Sequence, residues 1–185
     1  MAKLADRAAL EEFRKKIQSK RRKGKVKLIS LCAGSGCGAY GTAKVHHALV
    51  DELKRQKLEK KVEVKLTGCH GFCAKAPVIA IEPMGVQYQE VESDDAAEIV
   101  AKSLKQRQLI DRLTYHEPKT QQPIFYRNQI PFYAKQERRV LANCGRIDPT
   151  RIDGVVDTDG ILVINPAGLS VRTTEISIST LKSRF

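Results

Sequence analysis

The sequence has no uninterrupted apolar run of roughly 18 residues, so no transmembrane helix is expected. Its first stretch, MAKLADRAALEEFRKKIQSKRRKGK, holds no apolar signal core, and Asp6, Glu11 and Glu12 argue against an organelle transit peptide. There is no internal repeat. There is also no C-x-x-C pair, the spacing a thioredoxin-type redox site would use. No aromatic residue interrupts the basic run RKKIQSKRRKGKVK, which therefore lacks a stacking platform for nucleic acid. These absences point to a cytoplasmic protein, in which thiols stay reduced. Five cysteines then speak for metal or redox use rather than structural disulfides.

What is present begins with charge. Thirty-three Lys and Arg against 21 Asp and Glu give a formal net charge of +12 over 185 residues. The plain reading is a solvated basic face, and the sharper ones are a surface for nucleic acid, for an anionic membrane or for an acidic protein partner. The hydrophobic share of 42% is enough for a packed core.

Along the chain, Leu10, Phe13 and Ile17 recur at helical spacing within residues 4–18, and Gly24 follows as a stop. VKLISL (26–31) reads as a strand. TAKVHHALVDELKRQK (42–57) reads as a helix burying Val45, Ala48, Leu49 and Leu53, with Thr42 as a candidate N-cap. VEVKL (62–66) alternates as a strand does. VIAIEP and VQYQEV flank Met84-Gly85 as a hairpin, and Ser93 opens a further helix to about Leu104. The first two strands, joined through a helix, should be parallel and the last two antiparallel, giving an α/β fold with a mixed four-stranded sheet and flanking helices. Residues 107–153 read as a linker or docking segment with a short helix, and residues 154–185 as a β-rich tail with turn signals at Asp159-Gly160 and Asn165-Pro166.

Gly36, Gly38 and Gly41 spell G-x-G-x-x-G between a strand and a helix, as in dinucleotide-binding folds. The acidic residue expected at the end of the second strand is missing, and the next strands form a hairpin rather than continue a βαβαβ unit. Two cysteines inside the loop have no place in that reading. The glycines have another use: they let backbone N–H groups approach sulfur closely.

Cys32 and Cys37 (C-x4-C) follow the first strand, and Cys69 and Cys73 (C-x3-C) follow the second. Parallel neighbours would bring both loops to one edge of the sheet. Four thiolates there could hold zinc or an iron–sulfur cluster, and four buried core thiols are the structural alternative. The plant-type ferredoxin motif is excluded, because its third cysteine two residues on is absent. A Rieske centre is excluded because His70 has no matching second histidine, and His46 and His47 read as structural or solvated.

Taken together, CAGSGC, TGCHGFCAKAPVIAI and GVQYQEV resemble the thioredoxin-like [2Fe–2S] ferredoxin domain. The resemblance implies a thioredoxin-like sheet with flanking helices, and cluster ligation by Cys32, Cys37, Cys69 and Cys73. The segment FYRNQIPFYAKQERRVLANCGRIDPTRID resembles the stretch that follows this domain in NADH-binding flavoprotein subunits. Such subunits belong to complex I-type NADH:quinone oxidoreductases, NAD(P)-linked hydrogenases and formate dehydrogenases. The chain has neither the Gly-rich flavin and NADH site nor the cubane-cluster motif of those subunits. The resemblance thus implies a truncated or stand-alone form that carries single electrons and does not turn over NADH alone. Its FMN and NAD would come only through a partner. The partners implied are flavoprotein, NADH-binding or hydrogenase subunits in a hetero-oligomer peripheral to a membrane complex, with no specific nucleic acid. Cys144 is not expected to be a ligand. The expected division is 1–25 basic amphipathic helix, 26–106 ferredoxin domain, 107–153 linker and 154–185 tail. The competing class is a four-cysteine zinc adaptor with a basic arm.

Overall fold

A computed structural model describes residues 7–23, 27–139, 141–149, 161–164 and 170–173. The side chain of Leu10 and both turn signals of the tail lie outside the described residues.

Helix α1 spans Arg7–Lys23, and its Phe13 and Ile17 are half-buried. Strand β1 (Lys27–Cys32) leads through a one-turn helix α2 (Ser35–Ala39) into α3 (Thr42–Arg55), and β2 (Val62–Thr67) follows. The hairpin β3 (Ile79–Glu82) and β4 (Val86–Tyr88) turns at Gly85, whose φ of +68° suits a residue without Cβ.

The sheet order is β2-β1-β3-β4. β1 runs parallel to β2 with Cys32 opposite Thr67, antiparallel to β3, and β3 antiparallel to β4. This is the mixed, thioredoxin-like four-stranded sheet with flanking helices expected from the sequence. Ile29, Leu31, Ile79 and Ile81 project into a core shared with Val45, Leu49 and Leu53 of α3. Burying each such side chain contributes about 1.5–3 kcal/mol.

The helix expected after Ser93 is helical but not uniform. A short α-turn α4 (Asp95–Glu98) widens into π-helical turns over Ile99–Gln106. Its start is tied by the Asp95 carboxylate, which accepts from the Glu92 N–H at 2.8 Å, while Ser93 leans on Asp94 instead. Inside, the Tyr88 hydroxyl meets Ser103 Oγ at 2.7 Å and accepts from the Ile110 N–H.

The stretch read as a linker returns to the sheet. A small ribbon pairs β5 (Tyr115–His116) with β6 (Pro123–Ile124). The Gln87 N–H then donates to Phe125 O, and the Arg127 N–H to Gly85 O, so this segment extends the β4 edge. Helix α5 (Pro131–Ala134) follows, and Ile130, Tyr133, Cys144 and Ile147 are buried. The opposite face of the sheet, along Ser30, Ala80 and Gln87, is also buried. That row is small or polar, so it advertises no apolar face in the sequence. In the tail, β7 (Ile161–Ile164) pairs antiparallel with β8 (Ser170–Thr173).

Candidate metal centre

Because β1 and β2 are parallel and in register, their C-terminal ends release both cysteine loops on the same side. The backbone joins them at once: the Ala33 N–H donates to Thr67 O at 2.9 Å, and Thr67 Oγ1 donates to Leu31 O at 3.1 Å.

All four cysteines named from the sequence come together. Cys32 and Cys37 are each 1% exposed, whereas Cys69 is half-buried and Cys73 is exposed. The four sulfurs lie close together: Cys69 Sγ lies 3.9 Å from Cys73 Sγ, Cys37 and Cys69 both act on Cys32, and Cys73 acts on Cys37. Among the described residues, no three His, Cys, Asp or Glu side chains gather tightly around a single point. Each of the two loops supplies two thiolate positions.

Cys37 sits in α2, not in open loop as the glycine content suggested, and Thr42 does not cap α3. Gly41, at φ +91°, occupies the cap position. Thr42 Oγ1 donates to the Cys37 carbonyl at 2.8 Å and so fastens the first cysteine pair to the long helix.

The glycine expectation holds in part. Gly71 N–H donates to Cys69 Sγ at 3.2 Å. The backbone N–H groups of Gly34 and His70 face Cys32, and that of Val78 faces Cys37, each favouring the thiolate. A Cβ on Gly34 would stand 3.6 Å from Cys69 Sγ and 3.7 Å from Cys32 Sγ, and one on Gly36 would stand 3.5 Å from Cys73 Sγ. Gly34 and Gly36 therefore leave the space between the two loops clear. Gly38 touches nothing there. Lys75 is not aimed at the sulfurs, because it pairs with Glu90 at 3.2 Å.

Sulfur acidity follows this wiring. The Cys37 thiol donating to Cys32 is the main cause that brings Cys32 down to about 5, against the opposing cost of burial. The same bond holds Cys37 up, with burial adding to it. Burial raises Cys69 to about 11 although the Gly71 N–H counters it. Clustered thiols that compete for protons need a cationic centre before all four can be thiolates together. Their donor set fits a group binding four thiolates, with N–H donors already aimed at three of them.

Several residues at the site were not legible beforehand. His70 is fully buried, with Nε2 3.0 Å from Thr67 Oγ1. Burial, then Arg127 and Arg138, depress it to about 3, so it stays neutral. Phe132 stacks on Phe72 at 4.9 Å between ring centroids and lies 3.6 Å from the Cβ position of Gly71. Arg138 Nη2 donates to Cys69 O at 3.3 Å. Cys144, distant in sequence, packs behind the second loop, 3.2 Å from the Cβ position of Gly68. Only a fold-back of residues 127–145 could have revealed these contacts, and no local pattern encodes one.

A family model described as thioredoxin-like [2Fe–2S] ferredoxin matches residues 12–104. The 2Fe–2S ferredoxin of Clostridium pasteurianum is 31% identical over 77 residues, which is 42% of this chain and 76% of that protein. The 2Fe–2S ferredoxin of Aquifex aeolicus (strain VF5) is 31% identical over 84 residues, 45% of this chain and 76% of that one. Among solved structures, a thioredoxin-like [2Fe–2S] ferredoxin from Aquifex aeolicus is similar at 28% identity and a TM-score of 0.44, covering 48% of this chain and 88% of that one.

Proposed function

The chain belongs to the thioredoxin-like [2Fe–2S] ferredoxin family, and on that premise we propose that Cys32 and Cys37 hold one iron of its cluster and Cys69 and Cys73 the other. The cofactor is a [2Fe–2S] cluster, and the activity is ferredoxin-type electron transfer. When bound, the cluster supplies a centre that accepts and releases one electron. The observation that carries the ligand set is the convergence of both cysteine loops at the ends of the parallel pair β1 and β2, with N–H donors directed at Cys32, Cys37 and Cys69.

Those donors stabilise the more negative, reduced state and so raise the potential. The first cysteine pair is buried while Cys73 is exposed, which makes the second loop the face through which electrons pass. No helix among the described residues is long and apolar enough to cross a membrane.

The electrons belong, in our reading, to an NAD(P)H-dependent oxidoreductase of the NADH dehydrogenase or hydrogenase type, in which this chain is the carrier component. The segment around residues 125–152 and the basic N-terminal run support that placement. The flavin and nicotinamide sites would then lie on a partner subunit. The test is reduction of the purified holo-protein: dithionite bleaches it, NADH alone does not, and NADH does so once a flavin-bearing, NADH-oxidising subunit is added. Direct reduction of the flavin-free chain by NADH would contradict this placement.

A further inference from the structure

Behind the second cysteine loop lies a cavity of about 660 Å³, within the range of ordinary small-ligand sites. Arg127, Arg138 and Arg146 line it, with Tyr133, Cys144 and Glu82 also on its walls. Arg138 and Arg146 each act electrostatically on Arg127, yet among the described residues none of the three has a carboxylate within ion-pair distance. The contrast with other arginines is plain. Arg55 pairs with Glu52, Arg112 with Asp95 and Glu98, and Arg139 with Glu137. Glu82 is the one negative charge on the wall, and it acts on Arg127 only from beyond ion-pair distance.

Arg127 is held by an aromatic ring, with no carboxylate at ion-pair distance among the described residues. Its guanidinium carbon lies 4.7 Å from the centroid of the Tyr133 ring. Its Nη1 lies 3.1 Å from the place a Cβ on Gly145 would occupy, so glycine at 145 is what admits it. Burial disfavours its charge, and Arg138 and Arg146 add to that strain. A half-buried guanidinium beside two more cations is stabilised when an anion completes it. Its planar fork of donors matches the paired oxygens of a phosphate or carboxylate.

The cavity adjoins the metal centre. Arg138 bridges to the Cys69 carbonyl, and the Gly145 position that touches Arg127 also touches the His70 ring at 3.2 Å. From this geometry we infer that the cavity is a binding site for a small oxyanion, phosphate- or carboxylate-bearing, and that its occupancy lowers the reduction potential of the neighbouring cluster. The sign follows from charge: an anion at that place disfavours the more negative reduced state. By linkage, the oxidised protein binds the anion more tightly than the reduced one. The effect on potential rests on the cluster reading given above, whereas the binding itself does not.

The test is calorimetric titration of the oxidised holo-protein with pyrophosphate and, separately, citrate at fixed ionic strength. Saturable binding of one anion per chain is expected for at least one probe. Pyrophosphate alone would mark a phosphate site and citrate alone a carboxylate site. R127Q and R146Q should each weaken binding by about tenfold or more, while R55Q, whose guanidinium already pairs with Glu52, should leave it unchanged. Arg146 is exposed, so R146Q reads the site without threatening the fold. Failure of both probes to bind, unchanged affinity in R146Q, or equal weakening by R55Q would overturn the site. A potential that does not fall when the binding anion saturates would overturn the coupling. Iron and sulfide assays on the same sample separate that failure from the absence of a cluster.

Discussion

Arg138 donates from Nη2 to the Cys69 carbonyl at 3.3 Å, across 69 residues of sequence. The bond ties the returning segment to the more exposed cysteine pair, whose Cys73 faces solvent. A hydrogen bond from a charged donor contributes about 1.5–3 kcal/mol. R138A should therefore loosen the second loop, release iron to a chelator several-fold faster than the parent protein, and lower the unfolding midpoint by a few degrees. Iron release at an unchanged rate would remove Arg138 from the support of the site.

The five cysteines should divide four to one. C32S, C37S, C69S and C73S should each lower the iron and sulfide content, because the four sulfurs lie together where the two loops leave β1 and β2. C144S should keep the full complement, since its Sγ faces the Gly68 backbone. Full metal content in any of the first four would remove that residue from the ligand set.

Gly145 tests the packing between the returning segment and the loop. Its φ is +83°, and an added Cβ would meet Arg127 Nη1 at 3.1 Å and the His70 ring at 3.2 Å. Left-handed backbone costs a residue with a Cβ about 1–2 kcal/mol before any clash. G145A should lower unfolding free energy in urea by about 2 kcal/mol or more. G38A meets nothing within 4 Å and has no positive φ, and should cost far less.

Acid should weaken the link between α4 and the 3₁₀ turn that carries Arg112. Lys102, then Arg112, hold the Glu98 carboxyl below its ordinary value of 4.5. A carboxylate depressed in the folded state adds stability that is present above the unfolded value and lost as pH falls through the folded one. The wild type should thus lose more stability than E98Q on acidification below about pH 4.5. Being partly exposed, this network is worth about 1 kcal/mol or less. Equal acid sensitivity in both proteins, followed by chemical denaturation, would contradict the assignment.

Some of this architecture was readable in advance because its signals are local. VKLISL and VEVKL announce two strands, the helix from Thr42 lies between them, and parallel pairing follows from that order. Cysteines placed just after both strands then have to meet. What stayed hidden depends on contacts distant in sequence. Ser30, Ala80 and Gln87 form a buried row with no apolar pattern, and nothing local called for the segment that pairs with the β4 edge beside it. The glycines around Cys37 read as loop, although the chain closes a helical turn there. His70 looked like a neighbour of a ligand. It is instead a buried neutral ring, held by Thr67 on one side and touching the Gly145 position on the other.

The central claim is that four cysteines hold one two-iron cluster. The most direct measurement is iron, acid-labile sulfide and zinc assayed on one anaerobically purified sample, with EPR of its reduced form. The account predicts a red-brown protein with about two irons and two sulfides per chain, negligible zinc and a rhombic signal on one-electron reduction. A colourless protein with about one zinc per chain, unchanged by iron–sulfur reconstitution, would contradict it.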